Sequence, residues 1–304
     1  MRNAFADEIT KLAGQRENLV LLSGDIGNRL FDKFKEVAPG RFFNCGVAEA
    51  NMVGLAAGMA ACGLRPVCYT IASFLTYRVI EQIRLDLGYH HQRVVLVGTG
   101  AGLSYASLGA THHSVEDMGM LRLIPGLAVL APGDAMELRP ALRAALEYDG
   151  PVYIRIGKKG EPVIHESEPD FRIGQAMTLR GGKDACILSL GNVLPLAMQA
   201  AELLGAQGIA CGVASMGSLK PLDVDFLGQV FSQSAVVATL EEHSILGGLG
   251  TAVAEWKVDR SEGAALIRFA TPDEFLHETS HQPSARAWAG LTAERIAGRI
   301  REIL

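Results

Sequence analysis

The stretch Asn44-Cys-Gly-Val-Ala-Glu-Ala-Asn-Met-Val-Gly-Leu-Ala-Ala-Gly58 places a single acid, Glu49, at the start of a small, apolar, glycine-containing segment. It follows the short strand-like run Arg41-Phe42-Phe43. Glutamate is common in the first turn of helices because it interacts well with the helix dipole, so the residue can be purely structural. The same position can also hold a carboxylate against a basic group of a buried ligand. The rest of the sequence decides between the two readings.

Strand-like and helix-like segments alternate on both sides of this stretch. The strand candidates are continuous apolar runs such as Val94-Val-Leu-Val97, which is typical of buried parallel strands. Long helices are predicted over Phe74–Gly88 and Ser284–Ile303. The alternation stops in a turn-rich, charged segment and then resumes. The sequence therefore predicts two α/β domains with mainly parallel sheets: residues 1–157, a linker over 158–183, and residues 184–304.

Composition excludes several classes of function. The net charge is -5 and no basic block is present, which disfavours nucleic-acid binding. The longest apolar run, Met52–Leu64, is too short to cross a membrane, and the N-terminus has no apolar signal region. The odd number of scattered cysteines predicts buried thiols in a reducing compartment, without disulfides or a zinc site. The cysteines are Cys45, Cys62, Cys68, Cys186 and Cys211. We therefore expect a cytoplasmic protein that does not bind membranes.

Four segments follow strands of the first predicted domain, where ligands bind in parallel α/β sheets. In one of them, Phe74 and Tyr77 stand three residues apart, so a helix would place both rings on one face. A flat heteroaromatic ring could stack there, although ordinary core packing explains the pair equally well. The four segments are Ser23-Gly24-Asp25, Asn44–Glu49, Tyr69–Tyr77 and Gly98–Asp117.

The last of these segments is long, rich in glycine and contains His112 and His113. Its Gly98-Thr-Gly-Ala-Gly102 run lacks the third glycine of a dinucleotide fingerprint, so it is weak as a nucleotide site. No ligand partners stand at metal-binding spacing, and we assign no metal-binding residue. A histidine beside a bound ligand, donating a hydrogen bond or carrying a proton, fits better, and a structural role is an equal alternative. In the second domain, Leu240–Gly250 joins a strand to a helix, and we favour a capping turn over a catalytic role.

Taken together, these segments resemble the C-terminal half of transketolase, the pyrimidine-binding domain followed by the C-terminal domain. The resemblance runs nearly from end to end. Its markers are Ser23-Gly-Asp25, Gly46-Val-Ala-Glu-Ala-Asn-Met52, Tyr69-Thr-Ile-Ala-Ser-Phe74, Glu81-Gln-Ile-Arg84, Ala110-Thr-His-His-Ser-Val-Glu-Asp117, Asp149-Gly-Pro-Val-Tyr-Ile-Arg155 and the Glu241-Glu242-His243 turn.

The family uses thiamine diphosphate and Mg²⁺, and the resemblance implies a role for each matching residue. Glu49 matches the glutamate that hydrogen-bonds N1′ of the aminopyrimidine and favours the imino tautomer, which deprotonates C2 of the thiazolium. A two-carbon ketol unit then moves from a ketose, or ketose phosphate, to an aldehyde. Phe74 and Tyr77 match aromatic positions around the pyrimidine. His112 matches a catalytic histidine that contacts the substrate.

The resemblance also implies a substrate-binding set. Arg155 matches an arginine that binds the substrate phosphate, and Ser23 lies at another such position. Asp25, in the same Ser-Gly-Asp motif as Ser23, belongs to this set. So do His112 and His113 of the Thr-His-His motif. We expect a small-molecule sugar substrate at these residues.

Two departures from the family pattern change what is expected. The Gly-Asp-Gly motif, with its downstream Asn, that holds magnesium and the cofactor diphosphate is missing. We therefore expect an N-terminal-half transketolase subunit as partner, an α2β2 heterotetramer, and no turnover by this chain alone. In addition, Leu108 stands where an aspartate would read a sugar hydroxyl, and Gly100 where many members have a phosphate-contacting histidine. Because leucine cannot accept that hydrogen bond, we expect a modified or less phosphorylated sugar.

Several alternatives remain open. The same two domains form the beta subunit of the first component of 2-oxoacid dehydrogenases, and deoxyxylulose phosphate synthase is related. Gly46–Asn51 and Ala110–Asp117 look like transketolase instead. An oxidoreductase using Gly98–Gly102, or a non-catalytic regulatory partner, belongs to other classes. Retention of Glu49 disfavours the last.

Overall fold

The first domain is built on a seven-stranded sheet. The computed structural model describes residues 1–27, 29–260, 263–277 and 281–304. The strands are β1 (Leu19–Ser23), β2 (Phe42–Asn44), β3 (Arg65–Ile71), β4 (Val95–Thr99), β5 (Ala128–Leu130) and β6 (Val152–Ile156), with β10 (Ser218–Lys220) added from the second domain. Their order is β10-β5-β6-β4-β3-β1-β2, and all neighbours are parallel except β10 and β5. Most of these strands are buried along their whole length, which explains their unbroken apolar sequences.

Helices connect these strands and cover both faces of the sheet. They are α1 (Arg2–Ala13), α2 (Asp32–Val37), α3 (Glu49–Ala61), α4 (Ala72–Thr76), α5 (Ile80–Gln82), α6 (Asp117–Leu121) and α7 (Ala135–Glu147). The helix α7 shows how local sequence sets a boundary, because the side chain of Asp134 accepts hydrogen bonds from the amides of Met136 and Glu137 at its start.

The single helix predicted over Phe74–Gly88 is wrong. The chain forms α4, makes a turn at residues 77–79, and resumes as α5 followed by a π-helical segment, Ile83–Tyr89. At the break Val79 is buried in the core, whereas Arg78 points to a carboxylate on α3. Tertiary contacts therefore interrupt a pattern that is helical by sequence alone.

The second domain contains a five-stranded sheet. Its strands are β7 (Met177–Arg180), β8 (Ala185–Leu190), β9 (Cys211–Ser215), β11 (Val236–Ser244) and β12 (Ala265–Thr271), and the helices are α8 (Leu194–Gly205), α9 (Val224–Gln233), α10 (Leu249–Val258), α11 (Gln282–Trp288) and α12 (Ala293–Ile303). The strand order is β12-β11-β8-β9-β7. The strand β7 pairs antiparallel with β9, and the other neighbours are parallel. Because β7 falls inside the segment expected to be a linker, the second sheet begins within residues 158–183.

The helix predicted over Ser284–Ile303 is two helices. Gly290 has a φ of +72°, and the amide of Leu291 donates 2.8 Å to the carbonyl of Arg286, which is the pattern of a Schellman cap. Thr292 then caps α12 by accepting from the amide of Arg295. A glycine in the left-handed region thus ends one helix just before a threonine starts the next.

Two expectations from composition can be compared with the fold. All five cysteines are free, but only three are buried; Cys45 is partly exposed and Cys62 is exposed. The expectation of uniformly buried thiols is therefore wrong, because Cys62 follows the partly exposed last turn of α3 and Cys45 lies in the connection between β2 and α3. Among the described residues, no helix combines the length and the apolar character that crossing a membrane requires.

Candidate active site

Glu49 lies where three neighbouring strands of the first sheet end. It opens α3 just after β2, and its side chain is only 1% exposed. The hydroxyl of Thr70, on β3, donates to Oε1 over 3.3 Å. On the other carboxylate oxygen, Nη1 of Arg78 donates to Oε2 over 3.1 Å. A buried carboxylate paired with an arginine is thus held at the carboxyl edge of a parallel sheet, where ligands bind in such folds.

Phe74 lies beside this carboxylate. The guanidinium carbon of Arg78 is 3.9 Å from the centre of the Phe74 ring, and the ring of His112 is 5.1 Å from it, centre to centre. Arg78 therefore contacts Glu49 and Phe74 together. This places Glu49, Phe74 and His112, three of the residues expected from sequence, in one cluster.

His112 carries an imidazole of lowered pKa. Its Nδ1 lies 2.9 Å from the hydroxyl of Thr111, and its ring meets the ring of Tyr105 edge to face. Burial lowers the pKa of His112, and electrostatic interactions with His113 and with the cation of Arg78 lower it further. The ring is consequently neutral at neutral pH and can accept or donate a hydrogen bond.

Tyr77 does not share the environment of Phe74. Its hydroxyl donates a short hydrogen bond to Glu116, and burial raises the pKa of Tyr77 well above its ordinary value. It lines an apolar cavity of about 390 Å³ between the two domains, together with Glu116 of the first domain and Phe275 of the second. The ring is therefore near the cluster but faces a different cavity.

Ser23 and Asp25 flank Gly24 at the end of β1, next to Glu49. The hydroxyl of Ser23 is buried and donates to the carbonyl of Ile26 over 2.9 Å. Asp25 is exposed, has a φ of +59°, and accepts from Nδ2 of Asn44 over 2.8 Å. Both residues lie at the expected edge, with Asp25 the more accessible to a ligand.

Two of the expected substrate-binding residues are placed elsewhere. His113 is buried, and its Nε2 lies 3.3 Å from the carbonyl of Ala106. The guanidinium of Arg155 is buried between the domains, where Nε lies 3.0 Å from Oδ2 of Asp117 and Nη2 donates to the carbonyl of Glu242 over 2.9 Å. In this arrangement Arg155 joins the two domains and presents no surface to a phosphate, so the role expected for it does not fit.

The structure adds three residues that sequence reasoning missed. Arg78 forms the ion pair with Glu49. Tyr105 covers Gly100 so closely that a β-carbon at residue 100 would lie 2.0 Å from its ring. Nζ of Lys158 lies 4.7 Å from the centre of the Tyr105 ring and brings a positive charge to the loop. Lys158 lies just after β6, so its position after a strand was the available signal.

The acidic turn of the second domain is structural. Glu241 caps α10 by accepting from the amides of Leu249 and Gly250, each over 2.7 Å. Glu242 accepts from the amide of Leu103 in the first domain over 2.7 Å, and His243 accepts from the amide of Gly119 over 3.0 Å. The expected capping turn is confirmed, and its two other side chains bind the domains together.

The part of the chain that the structure describes contains no group of three or more His, Cys, Asp or Glu residues that could hold a metal ion. The residues gathered around Glu49 suit an organic ligand. A buried carboxylate can accept a hydrogen bond from a protonated ring nitrogen of such a ligand, while the neighbouring aromatic ring stacks on the ligand's face.

Comparison with known proteins identifies the family to which this arrangement belongs. Residues 1–161 match the family described as the transketolase pyrimidine binding domain, and residues 174–296 match the transketolase C-terminal domain. An apulose-4-phosphate transketolase subunit of Phocaeicola vulgatus is 35% identical over 92% of this chain and 90% of its own length. A 6-deoxy-6-sulfo-D-fructose transketolase subunit of Clostridium is 36% identical over 84% of this chain and 80% of its own length.

Two further similarities bear on the alternatives. The 1-deoxy-D-xylulose-5-phosphate synthase of Chlorobium luteolum is 36% identical over 89% of this chain, which spans 43% of that enzyme. A solved structure described as a split gene transketolase, an inactive beta4 tetramer, superposes with a TM-score of 0.90 at 33% identity over 100% of this chain and 97% of that one. With both of its domains matched by family and by fold, the chain belongs to the transketolase family.

Proposed function

We propose that this chain is the smaller subunit of a split transketolase and forms the Glu49 side of a thiamine diphosphate site. The complex would transfer a two-carbon ketol unit from a ketose to an aldehyde. The buried Glu49 at the carboxyl edge of the sheet, with Phe74 in the same cluster, is the observation that carries the proposal. When bound, the cofactor supplies the carbanion chemistry, and the protein supplies position and electrostatics.

The residues present fit the aminopyrimidine of this cofactor. Glu49 would hydrogen-bond a ring nitrogen, and Thr70 donates to its other oxygen and orients it. Phe74 supplies a flat apolar face. The neutral imidazole of His112, oriented by Thr111, is placed to exchange a hydrogen bond or a proton with a substrate oxygen. Asp25 and the adjacent Ser23 would complete the substrate side at the end of β1, and Tyr77 would border the site.

The diphosphate and its Mg²⁺ would be held by an N-terminal-half partner subunit in an α2β2 assembly. Two relatives are named as subunits of transketolases, and the structure named a beta4 tetramer is described as inactive, which supports a need for a second kind of subunit. The free cysteines suit a reducing compartment, and we propose the cytoplasm.

The donor would be a modified sugar and not an ordinary ketose phosphate. Leu108 is half exposed at the position where the family pattern has a hydrogen-bond acceptor. The ring of Tyr105 fills the space that a side chain at Gly100 would need. The relatives themselves are named for two dissimilar sugars, one a phosphate and one a sulfonated deoxysugar. The loop over 100–108 is therefore the part of the site that we expect to set substrate choice.

A synthase that condenses through the same cofactor is the second candidate, because a deoxyxylulose phosphate synthase is as similar in sequence as the transketolase subunits. Assays of ketol transfer and of pyruvate decarboxylation on the reconstituted complex separate the two. Transfer without decarboxylation supports transketolase, and decarboxylation without transfer supports the synthase.

Glu49→Gln tests the proposal directly. We expect kcat of the reconstituted complex to fall about 100-fold or more, because a neutral amide cannot hold the proton at the ring nitrogen. The exposed Glu17→Gln serves as a matched control and should leave kcat unchanged. A Glu49→Gln complex with near-normal turnover would contradict the proposed role.

A further inference from the structure

The guanidinium of Arg78 lies between the two groups that would recognise the pyrimidine. It donates to Oε2 of Glu49 over 3.1 Å, and its carbon lies 3.9 Å from the centre of the Phe74 ring. Its side chain is 46% exposed, whereas that of Glu49 is 1% exposed. The cation thus reaches from the surface into the site.

A guanidinium and an aminopyrimidine have the same recognition chemistry. Each is flat and offers a face for stacking on an aromatic ring, and each can donate an N–H at its edge to a carboxylate, the pyrimidine when its ring nitrogen carries a proton. The two cannot use the same carboxylate oxygen and the same ring face at once. We propose that Arg78 is a placeholder for the aminopyrimidine and must leave its position beside Glu49 and Phe74 when the cofactor binds. This inference rests on the proposed thiamine diphosphate site.

The fold supplies a reason to have such a group. A buried carboxylate without a partner is costly, and Arg78 supplies that partner to Glu49. The arginine lies in the turn over 77–79, outside α4 and α5, so it can swing into solvent without breaking a helix. Thr70 retains Oε1 of Glu49 during that movement.

A placeholder lowers the apparent affinity for its competitor, because only the fraction of molecules with the site open can bind. Removing Arg78 therefore has a counterintuitive result. The loss of a side chain from the site should tighten cofactor binding. A residue that contacted the bound cofactor would give the opposite change.

The test measures the affinity of thiamine diphosphate with Mg²⁺ by calorimetry, on the complex reconstituted with the N-terminal-half partner. Arg78→Gln should tighten Kd about three- to tenfold, and the gain should shrink as salt is raised, since salt weakens the ion pair. Arg172→Gln is the matched control, because Arg172 is exposed and pairs with Asp170, two residues away, over 3.0 Å. Unchanged or weaker binding by Arg78→Gln would overturn the placeholder.

A double-mutant cycle separates this inference from the proposed function. In the Glu49→Gln background, Arg78→Gln should give no gain, because the charge that holds the arginine is absent. An equal gain in both backgrounds would overturn the placeholder while leaving the role of Glu49 intact. If the wild-type complex binds no cofactor, or Glu49→Gln binds as tightly as wild type, the proposed function itself fails.

A measurement on the full chain alone needs no partner. The guanidinium nitrogens of Arg78 should show hindered rotation by nitrogen-15 NMR, and Glu49→Gln should release it. Free rotation of Arg78 in the wild-type chain would contradict the placeholder. This result does not depend on how the Glu49→Gln variant folds.

Discussion

Gly24 packs so closely against the Glu49 site that a β-carbon at residue 24 would lie 3.2 Å from Oε1 of Glu49 and 2.7 Å from Oγ1 of Thr70. Only a residue without a side chain leaves room there for the hydrogen bond between those two groups. The carboxylate is therefore confined by the backbone at Gly24 as well as by its hydrogen bond from Arg78.

Gly24→Ala should displace Thr70 and reorient Glu49. We expect weaker cofactor binding by the reconstituted complex and a loss of about 1–3 kcal/mol in the free energy of unfolding, as for other small overpacking changes. Urea unfolding and a cofactor titration check this. Gly228→Ala is the control, because its β-carbon meets nothing within 4 Å in α9. Unchanged cofactor affinity in Gly24→Ala would contradict the close packing.

Arg78→Gln should raise the pKa of His112. Burial is the main cause of the lowered pKa, but the positive charge of Arg78 contributes, and removing it favours the imidazolium. The measurement is an NMR titration of the His112 ring protons in the full chain. A pKa that stays the same or falls would show that the two charges do not interact, and Arg172→Gln should leave it unchanged.

Arg155→Ala should act on folding and not on substrate binding. Removing the guanidinium leaves the carboxylate of Asp117 buried beside Tyr153, whose hydroxyl donates to it over 2.6 Å. Breaking a buried ion pair costs about 3–5 kcal/mol, which unfolding by urea can measure. If stability were unchanged and only the KM for a phosphorylated substrate rose, Arg155 would be a phosphate ligand after all.

Glu137 should make the protein less stable as pH rises. Burial raises its pKa from 4.5 to about 7, although hydrogen bonds from Gly133 and Ser215 oppose the shift. Between these pH values the folded chain keeps a proton that the unfolded chain has lost, so stability falls by up to about 3 kcal/mol across that range. Urea unfolding at several pH values should show this slope in the wild type and lose it in Glu137→Gln. An identical slope in the variant would contradict the assignment.

Leu108→Asp should restore an acceptor to the substrate loop. Because a site that hydrogen-bonds a hydroxyl discriminates strongly, we expect kcat/KM for ordinary ketose phosphates to rise about tenfold or more relative to the preferred donor. Competition assays with paired donors measure the ratio. Leu123→Asp is a control at an exposed leucine outside the loop. No change in the ratio would remove the loop from substrate choice.

Glu49 could be found from sequence because its signal is local. A single acid at the start of an uncharged helix after a strand predicts both the helix and the edge of the sheet at which it lies, and the structure has both. The partner on that acid was not predictable. The pattern over Phe74–Gly88 is helical, whereas in the structure a turn interrupts it where Val79 is buried and Arg78 pairs with Glu49.

Arg155 shows the opposite case. Its match to a family arginine implied a phosphate ligand, but Arg155 lies within β6, near a strand end that the second domain covers. The contact with the carbonyl of Glu242 depends on how the two domains dock, and no residue near Arg155 in the chain reports that. Local sequence thus indicates which edge of the sheet a residue reaches, but not whether another domain covers that edge.

The strand Ser218–Lys220 leaves its own domain to close the sheet of the other one. A fragment cut after residue 161 would consequently expose Ala128–Leu130 as a bare sheet edge, open to pairing with other molecules. The first domain on its own therefore lacks one strand of its sheet, and any engineered exchange of that domain has to carry this short strand along with it.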